Sequence, residues 1–121
     1  MENKVKILVC DDERGVRDSL KLILEPEYDL SYVTNGEEAL RALEGSNPDL
    51  MILDVKMPRM GGVEALEKIK QLRPGIKVLM ITGYESHDVA AQATKLGAND
   101  YLTKPFEAKR VLSQVRALLS R

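Results

Sequence analysis

Short apolar runs alternate along the chain with longer stretches in which apolar residues recur every three or four positions. Residues 5–10, 30–33, 50–55 and 78–82 are brief, rich in Val, Ile and Leu, and have turn or capping residues nearby, a pattern that predicts strands. A fifth strand is predicted at Tyr101-Leu102, placed mainly by the rhythm of the other four. Between strands the period changes to that of a helix. Val16, Leu20, Ile23 and Leu24 fall on one face, and Pro26 ends that helix. A second helix is predicted from an Asn35 N-cap to Gly45, with Glu37 and Glu38 where the helix dipole favours anions and with Ala39, Leu40 and Leu43 inward. The third spans residues 62–72 with Leu66, Ile69 and Leu72 inward, closed by Pro74-Gly75. The fourth runs from about Ser86 to Gly97, buries mostly Ala and is expected to be the most weakly held. The last places Val111, Leu112, Val115, Leu118 and Leu119 on one stripe and extends almost to Arg121.

Strict alternation of strand and helix, with strand interiors apolar on both faces, predicts an α/β fold: a parallel five-stranded sheet covered by helices on both sides. The second strand, Leu30-Ser31-Tyr32-Val33, is interrupted by a polar residue. It is therefore placed at an edge, which gives the 2-1-3-4-5 order of a flavodoxin-like (βα)5 domain with right-handed crossovers. One domain over residues 1–121 is expected, since 121 residues leave too little apolar surface for a second core.

Composition narrows the function. A formal net charge of −1 provides no field to draw in a nucleic-acid backbone or an anionic membrane. Direct nucleic-acid binding and membrane association are not expected. The lone Cys10 cannot form an internal disulfide, the start lacks a signal-peptide core, and no apolar run approaches the roughly 20 residues of a membrane helix. A cytoplasmic location is the expectation.

In an open parallel sheet, ligands bind at the carboxyl ends of the strands beside the point where strand order reverses. Those ends carry Asp11 and Asp12 after the first strand, Asp54 on the third, Thr82 on the fourth and Lys104 after the fifth. Strands one and three are neighbours in the predicted order, so the three carboxylates should cluster, and their mutual repulsion favours a hard divalent cation, Mg²⁺. Asp54 would then act as a nucleophile toward phosphorus, with Lys104 and the Thr82 hydroxyl stabilising the product. Taken singly, each residue has a plainer reading: Asp11-Asp12 as a helix cap, Thr82-Gly83 as a strand end, Lys104-Pro105 as a solvated turn. Asp54, set between Leu53 and Val55, belongs either at an exposed strand end or in a polar site.

The segments Ile7-Leu8-Val9-Cys10-Asp11-Asp12-Glu13, Pro48-Asp49-Leu50-Met51-Ile52-Leu53-Asp54, Met57-Pro58, Thr82-Gly83 and Tyr101-Leu102-Thr103-Lys104-Pro105-Phe106 resemble the receiver domain of bacterial two-component response regulators. The family includes the chemotaxis and sporulation phosphorelay receivers, and the resemblance spans essentially the whole chain. It implies that Asp54 accepts a phosphoryl group from a phosphohistidine on a sensor histidine kinase or a histidine phosphotransferase. It further implies that Asp12 ligates Mg²⁺ directly, Asp11 largely through water, and Asp54 and the Lys56 backbone carbonyl complete the protein ligands, with Mn²⁺ as a substitute ion. No further cofactor-binding residue is expected. Thr82 and Tyr101 match the pair that reports phosphorylation, and Lys104-Pro105 matches a position where the family has a cis peptide. The family often has Asp where this chain has Gly61, which predicts a looser loop. Lys56 and Tyr84 flank the path of attacking water and should tune hydrolysis. Cys10 replaces a commoner aliphatic residue and reads as a small buried hydrophobe, and His87 as a surface residue.

The output is expected from the fourth and fifth strands and helices, with residues 83–85 and the fourth helix as the soft element. A downstream output domain or protein, or a homodimer through the fourth helix, fifth strand and fifth helix, would read it. Two rivals are weaker. A phosphohydrolase acting through Asp54 would need a carboxylate two residues on, where Lys56 stands, and a flavin carrier would need a hydroxyl- and glycine-rich loop where Asp11-Asp12-Glu13 stands.

Overall fold

In the computed structural model, which describes residues 4–83 and 87–120, five strands and five helices alternate. They are β1 (Lys6–Cys10), α1 (Arg14–Leu24), β2 (Asp29–Val33), α2 (Gly36–Gly45), β3 (Leu50–Asp54), α3 (Gly62–Leu72), β4 (Lys77–Thr82), α4 (His87–Lys95), β5 (Asp100–Thr103) and α5 (Ala108–Leu119). The strands form one sheet in the order β2-β1-β3-β4-β5, and each pair is parallel. This is the predicted fold, with the polar-interrupted strand at an edge. No helix of the described residues is long and apolar enough to cross a membrane.

The period-two geometry of a strand splits its apolar residues between two cores. Ile7, Val9, Ile52 and Ile81 face one side and pack with Leu20 and Leu24 of α1 and Val111 and Val115 of α5. Leu8, Met51, Leu53 and Met80 face the other and meet Ala39 and Leu43 of α2 and Leu66 and Ile69 of α3. A fully buried Leu or Ile contributes about 1.5–3 kcal/mol, so β3, buried along its whole length, is the firmest part of the sheet.

Helix ends follow local chemistry. The Asn35 side chain accepts from the Glu38 N–H at 2.9 Å, while the Glu38 carboxylate accepts from the Thr34 N–H at 2.8 Å. These reciprocal bonds open α2, and the hydrogen bonds from the Thr34 N–H and hydroxyl hold the Glu38 carboxyl below its usual range.

One packing expectation is corrected. Leu72 points outward and is 60% exposed; the helix ends there, and Ile76, returned by a turn in which its N–H donates to the Arg73 carbonyl, joins the core instead. In α4 the buried side chain among those described is Ala93, while Ala91 is exposed, so the little that this helix buries is alanine, and it meets the sheet along one line and not across a broad face. The expected start at Ser86, and the expectations for Tyr84 and Glu85, lie outside the described residues, as does the side chain of His87.

Candidate functional site

The sheet brings the predicted residues together at its carboxyl edge. Asp11 directly follows β1, and its N–H donates to the Val33 carbonyl, extending the pairing with β2. Asp54 is the last residue of β3 and pairs in register with Ile81 of β4. Beyond it, the Val55 N–H donates to the Ile81 carbonyl and the Val55 carbonyl accepts from the Gly62 N–H at 2.8 Å, which closes residues 56–61 into a loop directly after Asp54 and Val55. Lys56 begins that loop. The closure requires glycine at 62: a side chain there would overlap the Asp54 carbonyl and come within 2.8 Å of the Val55 Cα. The far side of the loop is tied to α2, since the Gly36 N–H donates to the Met60 carbonyl and Arg59, at a φ of +67°, pairs with Glu37 at 3.6 Å.

Carboxylate oxygens of Asp11, Asp12 and Asp54 lie within 4.8 Å of one another. Asp11 and Asp54 are buried and Asp12 is exposed, so Asp54 occupies a polar site and not an exposed strand end. Asp11 does not cap α1 from the cap position; Glu13 stands there, and the Asp11 Oδ1 accepts from the Glu13 N–H at 2.9 Å. The other oxygen, Oδ2, is buried without a hydrogen-bond partner among the described residues, with the Lys104 ammonium 3.7 Å away. A buried carboxylate oxygen that makes no hydrogen bond among the described residues, beside two further carboxylates, is a donor set that a hard divalent cation would satisfy, so the residues present fit Mg²⁺.

The cluster shifts its own titration. Burial, reinforced by the Asp11 charge, pushes the Asp54 carboxyl up to about 6, although Lys104 and a hydrogen bond from the Lys56 N–H act in the opposite direction. Burial likewise raises Asp11. Lys104 sits 3.4 Å from Asp54 and 3.7 Å from Asp11. Burial disfavours its charge, yet the hydrogen bond to Glu13 and the neighbouring carboxylates outweigh this and raise it above the usual lysine range. Its backbone N–H donates to the Thr82 carbonyl at 2.8 Å, and the Lys104-Pro105 peptide is cis.

Thr82 closes β4 and is buried, one strand over from Asp54. Tyr101 lies on β5 and is 43% exposed, and its carbonyl accepts from the Gln114 side chain. The site therefore gathers Asp11, Asp12, Asp54 and Lys104, while Tyr101 stands apart from it. Cys10 is buried beneath, 3.4 Å from the Asn35 carbonyl and 3.3 Å from the Met57 sulfur. Its thiol is pushed up to about 12 by burial and by the surrounding carboxylates, which leaves it unreactive.

Sequence reasoning missed Glu13 as a member of the site. Its carboxylate is the nearest partner of Lys104, at 2.6 Å; adjacency to the aspartate pair was the only signal available, and the 91-residue separation from Lys104 hid the contact.

The family model described as the response regulator receiver domain matches residues 7–116. The chain is 38% identical over 117 residues to the alkaline phosphatase synthesis transcriptional regulatory protein PhoP of Bacillus subtilis, covering 96% of this chain and 49% of that protein. It is 37% identical over 118 residues to the response regulator MprA of Mycolicibacterium vanbaalenii, covering 97% of this chain and 51% of that protein. The chain thus spans about half the length of these curated relatives. Among solved structures, the CheY-like response regulator receiver domain protein from Methanospirillum hungatei JF-1 superposes with a TM-score of 0.92 at 35% identity, over 98% of this chain and 95% of that one.

Proposed function

The chain belongs to the response regulator receiver domain family, and on that premise we propose that residues 1–121 act as one switch in which Asp54 accepts a phosphoryl group from a phosphohistidine. The donor is a sensor histidine kinase or a histidine phosphotransferase. An Asp54 carboxylate oxygen attacks phosphorus, the new O–P bond forms as the P–N bond breaks, and the imidazole leaves with the electron pair. Asp11, Asp12, Asp54 and the Lys56 carbonyl would hold Mg²⁺, or Mn²⁺ in its place, which when bound neutralises charge on the phosphoryl oxygens. The Lys104 ammonium pairs with another phosphoryl oxygen, and the Thr82 hydroxyl donates to a third.

The observation that carries this reading is the meeting of three carboxylates within 4.8 Å of one another with an ammonium 3.4 Å from Asp54. A carboxyl shifted up to about 6 is still ionised near neutral pH and so remains a nucleophile.

Esterification concentrates nearly two negative charges at one point. Thr82 is drawn toward them, and the exposed Tyr101 ring turns in behind it. The face formed by β4, α4, β5 and α5 then shifts between two arrangements. The reader of that face is an output domain, a separate protein or a second copy of the chain joined through α4, β5 and α5. The chain itself works as a signalling module and makes no direct contact with nucleic acid.

Incubation with acetyl phosphate, with and without Mg²⁺, followed by intact mass, tests the reading. One phosphoryl group should be added only with the ion present and never to Asp54→Asn; modification of that variant, or none of the native chain, would refute it.

A further inference from the structure

The Lys104 ammonium does not sit closest to the carboxylate it is proposed to serve. It lies 2.6 Å from Glu13, against 3.4 Å from Asp54 and 3.7 Å from Asp11. Asp54 and Asp11 are buried, whereas the Glu13 side chain is 60% exposed, so the tightest partner is the one at the solvent rim. The backbone of Glu13 is anchored there. Its N–H donates to the Asp11 Oδ1 at 2.9 Å, and its carbonyl accepts from the Arg17 N–H at 3.1 Å at the start of α1. Its side chain makes no cap hydrogen bond to the helix. The carboxylate is therefore delivered to Lys104 by a fixed backbone and has no helix-capping role of its own.

We propose that Glu13 is a positioning residue that holds the Lys104 ammonium at the rim of the site in the unphosphorylated protein and must release it when a phosphoryl group arrives on Asp54. The inference rests on the phospho-accepting reading. Two anionic groups then compete for one ammonium. The phosphoryl group wins because it brings nearly two charges and several acceptor oxygens, but the lost contact with Glu13 is subtracted from its affinity. Exposed ion pairs are weak, so the subtraction amounts to about two- to fivefold in equilibrium. Glu13 would in this way set how readily the switch turns on, without touching the reacting atoms.

The test is titration of the full chain with beryllium fluoride, a phosphoryl mimic, at saturating Mg²⁺, followed by ¹⁹F NMR of the bound fluoride. The native protein is compared with Glu13→Gln and Glu13→Asp. Glutamine removes the charge, and aspartate keeps it on a side chain one methylene shorter, drawn back from the ammonium. Both variants should bind about two- to fivefold more tightly than the native chain. Equal affinity in all three proteins would overturn the role of Glu13 and leave the phospho-accepting reading standing. Tightening in the glutamine variant alone would also overturn it, because a remote charge and not a held ammonium would then be at work. Absence of binding to any of the three would overturn both.

Discussion

Strands β3 and β5 flank β4 in the same sheet, yet they are built to opposite specifications. Every residue of β3 is buried, and it is hydrogen-bonded on one side to β1 and on the other to β4. β5 is a four-residue edge strand in which only Leu102 is buried and Tyr101 stands out into solvent. The helix that precedes β5 adds little, since Ala93 is the one core residue that α4 contributes among the described side chains. On the proposed phospho-accepting reading, the contrast assigns tasks. A nucleophile needs a carboxylate held by surroundings that do not yield, whereas a reporter needs an element whose alternative arrangement lies close in free energy.

The contrast can be broken most forcefully in β3. Leu53→Ala, at a fully buried position one residue before Asp54, should cost about 2–5 kcal/mol by urea denaturation; a cost below 1 kcal/mol on the same scale would mean that β3 is not the rigid element.

Asp54→Asn should act in the opposite direction. The Asp54 carboxyl titrates at about 6 in the fold and near 3.9 when unfolded. The folded state therefore binds more protons between those values, and the native protein without divalent ions loses stability as pH rises from about 4 to 6. The asparagine variant lacks this loss, so its advantage should grow over that interval to as much as about 3 kcal/mol and then level off. Thermal melts across the pH range would reveal it, and a difference that stays flat would show that neither burial nor the Asp11 charge raises the Asp54 carboxyl in the fold.

Gly62→Ala should cost about 1–3 kcal/mol, because the added methyl would overlap the Asp54 carbonyl and approach the Val55 Cα to 2.8 Å. The smallest effect belongs to β5. Tyr101→Ala should change stability by about 1 kcal/mol or less in the same denaturation assay, and a loss as large as that of Leu53→Ala would erase the distinction between the strands.

Much of this architecture was legible in the sequence because one period governs each element. The apolar run of β3 and the four-residue rhythm of α1 can each be assigned without knowing the other, and strand order followed from the polar interruption at Ser31. Asp11, Asp54 and Lys104 could be gathered because parallel topology places every strand's carboxyl end on one edge. What escaped depended on distances between elements. Leu72 obeys the helical period but lies where the chain turns away, and the return of Ile76 to the core is a property of the turn after Arg73. Asp54 could be assigned to a polar site or to an exposed end, and only the folded packing decides for a buried one. Glu13 and Lys104 meet through the arrival of α1 and β5 at one place, which no local pattern encodes.

The account's central claim is that the strand bearing Asp54 stays fixed while the region bearing Tyr101 moves. Amide hydrogen exchange of the full chain, with and without beryllium fluoride and Mg²⁺, addresses it directly. The expected result is altered protection across α4 and β5, residues 87–103, with Leu50 to Leu53 unchanged. Unaltered exchange in 87–103 alongside altered exchange in β3 would contradict it.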